Sequence, residues 1–270
     1  FEEIKYKYGN FLEEYGYYLI YGLQPDDFYV AWGDFSRHSR GSITWELRRH
    51  VDVLYAKTGN PVFAAFGRYI GSTVKEMAAD DYAASNLYIG NIYGRPQVNA
   101  PFSLIESLPP CRLFSPGALG HVFLRSGFKK NDIFIAFKCG NYYGNHGHFD
   151  QGSFVIYCNG NLAIDSGTYK AGFGSSHRLN YYRRSIAHNT LVFPDPSDGN
   201  DEGGQRVVSN QNIRSLAEFK SARECHTGRI TAFEEHPEYV HVAGDVSAAY
   251  PSTVVKTFCR QLVFFRRKYL

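Results

Sequence analysis

Apolar positions in the first third of the chain recur with the period of a helix. Ile4, Phe11, Leu12, Tyr15, Tyr18 and Leu19 share one face, and Ile43, Leu47, Val51, Leu54 and Tyr55 share another after "SRHSRGS". Turn residues punctuate each run. "QPDD" follows the first and "TGNP" the second, and Pro61 is placed to open a third helix carrying Val62, Phe63, Phe66, Tyr69 and Ile70. Short loops between such helices predict antiparallel hairpins. The Gly-, Asn- and Pro-rich stretch from Asn86 to Pro110 reads as a connection to a different architecture.

From Cys111 onward the pattern changes to period two, or to short apolar runs between turn signals. "HVFLRSG", "DIFIAFKCG", "GSFVIYCNG", "NLAIDSG", "HNTLVF", "EYVHVAG" and "VVKTFCRQLVFF" read as separate strands. Together they predict an antiparallel β-sandwich. The expected fold class is therefore α+β, with a helical part over 1–105 followed by a sandwich over 106–270. "PDPSDGNDEGGQR" reads as a long polar loop.

Polar residues cluster around "GNHGHFDQGSF". Two histidines one residue apart, entering an apolar run, fit a metal site, a proton-transfer site or a polar turn. Asn159-Gly160 is a two-residue hairpin signal, which sets Cys158 opposite Asn161 and Phe154 opposite Asp165. The open end of that hairpin then gathers His146, His148, Asp165 and Tyr169. Histidine nitrogen mixed with carboxylate oxygen favours zinc over calcium or magnesium, and His188 in "SIAHNTLVF" is the best candidate for a third ligand.

Composition narrows the functional classes. The chain is 44% hydrophobic and 20% charged, and no apolar run is long enough to span a bilayer. A net charge of +3 is compatible with an acidic polymer as substrate and falls short of the footprint of a nucleic-acid binder. The 21 Tyr and 21 Phe serve either a core or sugar stacking. Five dispersed cysteines argue against a disulfide framework.

"NHGHFDQGSF", "GNLAIDSGTY" and "YYRRSIAHNTLVF", in this order, resemble the sandwich part of the heparinase II/III-like polysaccharide lyases. "GGQR", "YVHVAGDVSAAY" and "FCRQLVFF" fit the same pattern, so the resemblance covers Cys111 to Leu270. It implies that the helical third is the end of an incomplete (α/α) toroid, with Gly33-Asp34 in a typical place. It further implies β-elimination on a uronate-containing acidic polysaccharide, in the periplasm or outside the cell. Carried over by position, His146 is the catalytic histidine, Tyr169 lines the cleft, and Tyr182 transfers a proton or contacts substrate. Arg184 holds a carboxylate, His148 and Asp165 hold a structural zinc, and His188 either completes the zinc site or faces substrate. The toroid's catalytic Tyr and its Asn or His find no match here and are expected upstream of Phe1. Tyr15, Tyr17 and Tyr18 read instead as core. Two other functions compete: a catalytically silent carbohydrate-binding sandwich, and metal-dependent hydrolysis at His148, Asp165 and His188.

Overall fold

A computed structural model describes residues 9–34, 45–73, 99–144, 146–165, 172–193, 203–209 and 213–266. Tyr169 and Ile43 lie outside them, as do Ile4 and most of the expected connection from Asn86. Three of the expected helices form: α1 (Phe11–Tyr21), α2 (Trp45–Thr58) and α3 (Pro61–Thr73). Pro61 opens α3 because its missing N–H is not needed in a first turn, and the Asn60 side chain accepts from the Val62 N–H at 3.0 Å. Gly16 lets α1 approach α3 closely, since a Cβ there would stand 2.4 Å from the Phe63 ring. Ile20, Val51, Leu54, Phe63, Phe66 and Ile70 fill the space among the helices.

The strands form two antiparallel sheets. The larger has the order β1 (Cys111–Phe114), β2 (His121–Arg125), β3 (Phe134–Lys138), β4 (Phe154–Tyr157) and β5 (Asn161–Ala163). The smaller has β6 (Arg229–Glu235), β7 (Tyr239–Asp245) and β8 (Cys259–Phe265). Val122, Leu124 and Phe137 of the first meet Val240, Val242 and Phe264 of the second, which makes the sandwich. The opposite face of the larger sheet is covered by α1, whose Tyr21 packs with Phe114, Phe123 and Phe134. Both faces being covered, β2 is buried at every position and shows no alternation. Helices followed by antiparallel sheets give the α+β class read from the sequence.

Several expectations are corrected. Tyr18 is packed as expected, but Tyr15 is 38% exposed, beside Phe11. "HNTLVF" is not a strand. It follows a tight turn at Ser185–Ala187, and its side chains bond neighbouring backbone in place of a ladder. "CRLF" and "RITAFEE" are strands, although one is only four residues long and the other is largely exposed. The β4–β5 hairpin pairs Tyr157 with Asn161, so its loop has three residues; Leu162 is bulged, and Ile156 opposite Ala163 restores the expected register.

Candidate active site and metal-binding cluster

Trp32 docks against His121 and Phe123 on β2, and this delivers Gly33-Asp34 to the end of the larger sheet. Gly33 has φ +78°, and a Cβ would stand 2.5 Å from the His146 carbonyl oxygen, so only glycine fits. The Asp34 N–H donates to that same oxygen at 2.9 Å. Its carboxylate, 3% exposed, accepts from Arg178 Nε at 2.9 Å and Nη2 at 2.8 Å, a bidentate pair. Phe173 covers the Arg178 guanidinium at 3.7 Å.

The two histidines share the remaining capacity of that carboxylate. His146 Nδ1 lies 2.8 Å from Asp34 Oδ2, and His148 Nε2 lies 3.1 Å from Oδ1. Burial pushes the Asp34 pKa up, but the bonds from His148, Arg178 and His146 outweigh it and hold the group well below the usual carboxylate range. An ionised carboxylate only accepts, so each ring donates the proton on its bonded nitrogen. His146 has 76% of its side chain exposed, with Nδ1 engaged by Asp34. His148, fully buried, keeps a lone pair on Nδ1 that has no partner among the described residues. Burial also pushes its pKa down, which favours the neutral ring that a metal requires.

Behind these lies a second cluster. His188 Nδ1 stands 2.8 Å from both oxygens of Asp165, and both side chains are closed to solvent. Burial works against charge on His188, but the bond to Asp165 prevails and its pKa is raised. Asp150 Oδ1 accepts from Lys138 Nζ at 2.6 Å. Ligand atoms of Asp150, Asp165 and His188 lie within 4.8 Å of one another. The His148 and His188 rings are 5.1 Å apart. His148 Nδ1, His188 Nε2 and Asp150 Oδ2 are all buried without partners among the described residues. Three buried atoms without partners on adjoining groups fit a bound cation, which would take the place of any proton on His188 Nε2.

Side-chain amides hold this geometry. Gln205 bonds the backbone of Gln151 twice, at 2.9 and 2.7 Å, and Ser185 Oγ donates to the Phe149 carbonyl at 2.6 Å. Asn189 donates to the carbonyls of Phe154 and Ile164, closing the hairpin end where Asp165 sits.

His146 is exposed and His148 buried, and Asp165 and His188 are neighbours. Tyr182 is placed differently. It is 0% exposed and meets the His148 ring edge-on at 4.8 Å, so it packs against that ring. Arg184 is half-buried beside the tight turn at Ser185. Sequence reasoning assigned no role to Asp34, Arg178, Asp150 or Lys138. The clearest missed signal was Lys138, a charge closing the apolar run "FIAFK", which has to find a counter-charge when buried.

The family model for the heparinase II/III-like C-terminal domain matches residues 114–255. A heparan sulfate lyase of Pedobacter heparinus is similar in structure, with 15% identity and a TM-score of 0.53, covering 91% of this chain and 29% of that one. A heparinase III structure gives 17% identity and a TM-score of 0.55, covering 96% and 33% respectively. At such identities the likeness is one of fold, and the chain spans only about a third of the length of these structures. No curated protein sequence matches the chain. With the model matched over more than half its length, from β1 to beyond β7, the chain belongs to the heparinase II/III-like family.

Proposed function

We propose that the chain is part of a polysaccharide lyase that cleaves a uronate-containing acidic polysaccharide by β-elimination. The observation that carries this is His146, an exposed imidazole whose Nδ1 is engaged by a buried Asp34–Arg178 pair. Elimination requires a base for the proton beside the uronate carboxylate, a group that neutralises this carboxylate, and an acid for the leaving oxygen. His146 Nε2 serves as the base or as a charge stabiliser beside the sugar. Arg184 is the proposed partner of the substrate carboxylate, and Tyr169 is proposed for substrate contact on the motif resemblance alone. Exposed Phe173, its ring 5.2 Å from that of His146, offers a face for sugar stacking, and Tyr181 is exposed as well.

His148, Asp165 and His188 are the proposed zinc ligands; their buried, unpartnered nitrogens support the assignment. When bound, zinc supplies a fixed positive charge that braces the segment carrying His146. Elimination consumes no water, so no activated water is required. Among the described residues no helix is long and apolar enough to cross a membrane, and we place the enzyme in the periplasm or outside the cell.

The same exposed aromatics also suit a silent carbohydrate-binding sandwich. Incubation of the full-length protein with a panel of acidic glycans separates the two readings. A lyase produces unsaturated uronates, seen by ultraviolet absorbance, and His146→Ala lowers their rate of formation by about 10²-fold or more. Glycan binding with no unsaturated product from any substrate overturns the lyase reading.

A further inference from the structure

We infer that Asp150 is a further ligand of the same cation and that Lys138 competes with the cation for this carboxylate. The inference rests on the metal reading above and adds to it a residue that the sequence pattern did not assign. Asp150 is fully buried, and only one of its oxygens has a partner: Oδ1 takes the Lys138 ammonium at 2.6 Å, while Oδ2 has none among the described residues. A buried carboxylate oxygen with nothing to accept from is costly, and it marks a missing partner. Asp150 is also grouped with Asp165 and His188, their ligand atoms lying within 4.8 Å of one another. Oxygens and nitrogens bound about 2 Å from a tetrahedral zinc stand about 3.3 Å apart, so a small closure around the ion completes the set.

Charge points the same way. Asp34 is balanced by Arg178, which leaves Lys138 as the buried cation beside the cluster. A divalent ion held by Asp165 and two neutral imidazoles would face that ammonium with one carboxylate to offset both. Asp150 supplies the second. The alternation of β3 turns Phe137 toward the smaller sheet and Lys138 to the opposite face, where Asp150 lies. Lys138 therefore anchors the carboxylate and at the same time weakens its hold on a metal.

Zinc affinity of the full-length protein, measured by competition with a chromophoric chelator, tests this with variants of opposite sign. Asp150→Asn is expected to weaken binding about 10- to 100-fold. Lys138→Met, which removes the competing charge, is expected to strengthen it about tenfold. A residue that matters only for packing would weaken binding in both. Asp150→Cys in the cobalt-loaded protein adds a readout independent of affinity: a thiolate-to-cobalt charge-transfer band in the near ultraviolet, absent from the wild type, places position 150 on the ion. Wild-type zinc binding with unchanged affinity in Asp150→Asn, or a cobalt-loaded Asp150→Cys without that band, overturns the role of Asp150 and leaves the metal reading standing. A wild-type protein that binds no zinc overturns both.

Discussion

Between the sheets, Val122, Leu124 and Phe137 meet Val240, Val242 and Phe264 in an apolar layer whose backbone is satisfied by regular ladders. One residue past Phe137 the rules reverse. Lys138, Asp150, Asp165, Asp34 and Arg178 are all largely buried, and the backbone there is held by the side chains of Gln205, Ser185 and Asn189. The apolar layer gains by removing carbon from water and needs no particular partner. The polar end gains only if each group finds its own, and three buried polar atoms there have none among the described residues. Stability and chemistry are thus separated along a single strand.

Substitutions on either side sharpen that contrast. Phe137→Ala leaves a cavity between the sheets and is expected to cost about 4 kcal/mol in chemical denaturation, while the folded fraction keeps its turnover number. Arg178→Met strips Asp34 of its bidentate partner and is expected to cost about 3 kcal/mol. Unlike the core variant, it also disturbs the carboxylate that orients His146, so turnover falls further than the folded fraction does. If the two variants lose activity only in proportion to unfolding, the separation fails. Asn189→Ala removes the bonds to the Phe154 and Ile164 carbonyls and is expected to cost about 1–2 kcal/mol, and zinc affinity falls with it because Asp165 sits at the hairpin end it closes.

The same contrast sets what the sequence could show. Periodicity reports apolar burial, so α1, α3 and the central strands were legible, and Asn159-Gly160 located the hairpin although Leu162 bulges beside it. The motif resemblance gave His146 and His148 different roles, and they differ in burial. Periodicity is blind to side chains that bond backbone, and "HNTLVF", apolar enough for a strand, is bound instead through Asn189 and Thr190. It is blind also to partners far apart in sequence. Asp34 and Arg178 are 144 residues apart, and Gly33 signals a close approach without naming the carbonyl of His146 that it meets.

His121 lies on the boundary between the two regions and gives the smallest effect at neutral pH. Its Nδ1 is hydrogen-bonded with the Tyr18 hydroxyl at 2.9 Å, Trp32 packs on its ring, and it stands opposite Lys138 in the ladder, with Asp150 beyond. Burial, with a contribution from the Lys138 charge and against that of Asp150, pushes its pKa down to about 3. Unfolded, it titrates near 6.5. Between these values the unfolded chain binds a proton that the folded one refuses, so the contribution of His121 is intact above about pH 6.5 and is lost as pH falls toward 3. His121→Gln retains an acceptor for Tyr18 and has no proton to gain. Its denaturation midpoint is expected to match the wild type at pH 7 to within about 0.5 kcal/mol and to fall less steeply from pH 6.5 to 4. Parallel acid limbs for the two proteins would mean that His121 is hydrated and chargeable in the folded state. The apolar layer would then end before β2, and the buried polar end would begin one strand earlier than drawn.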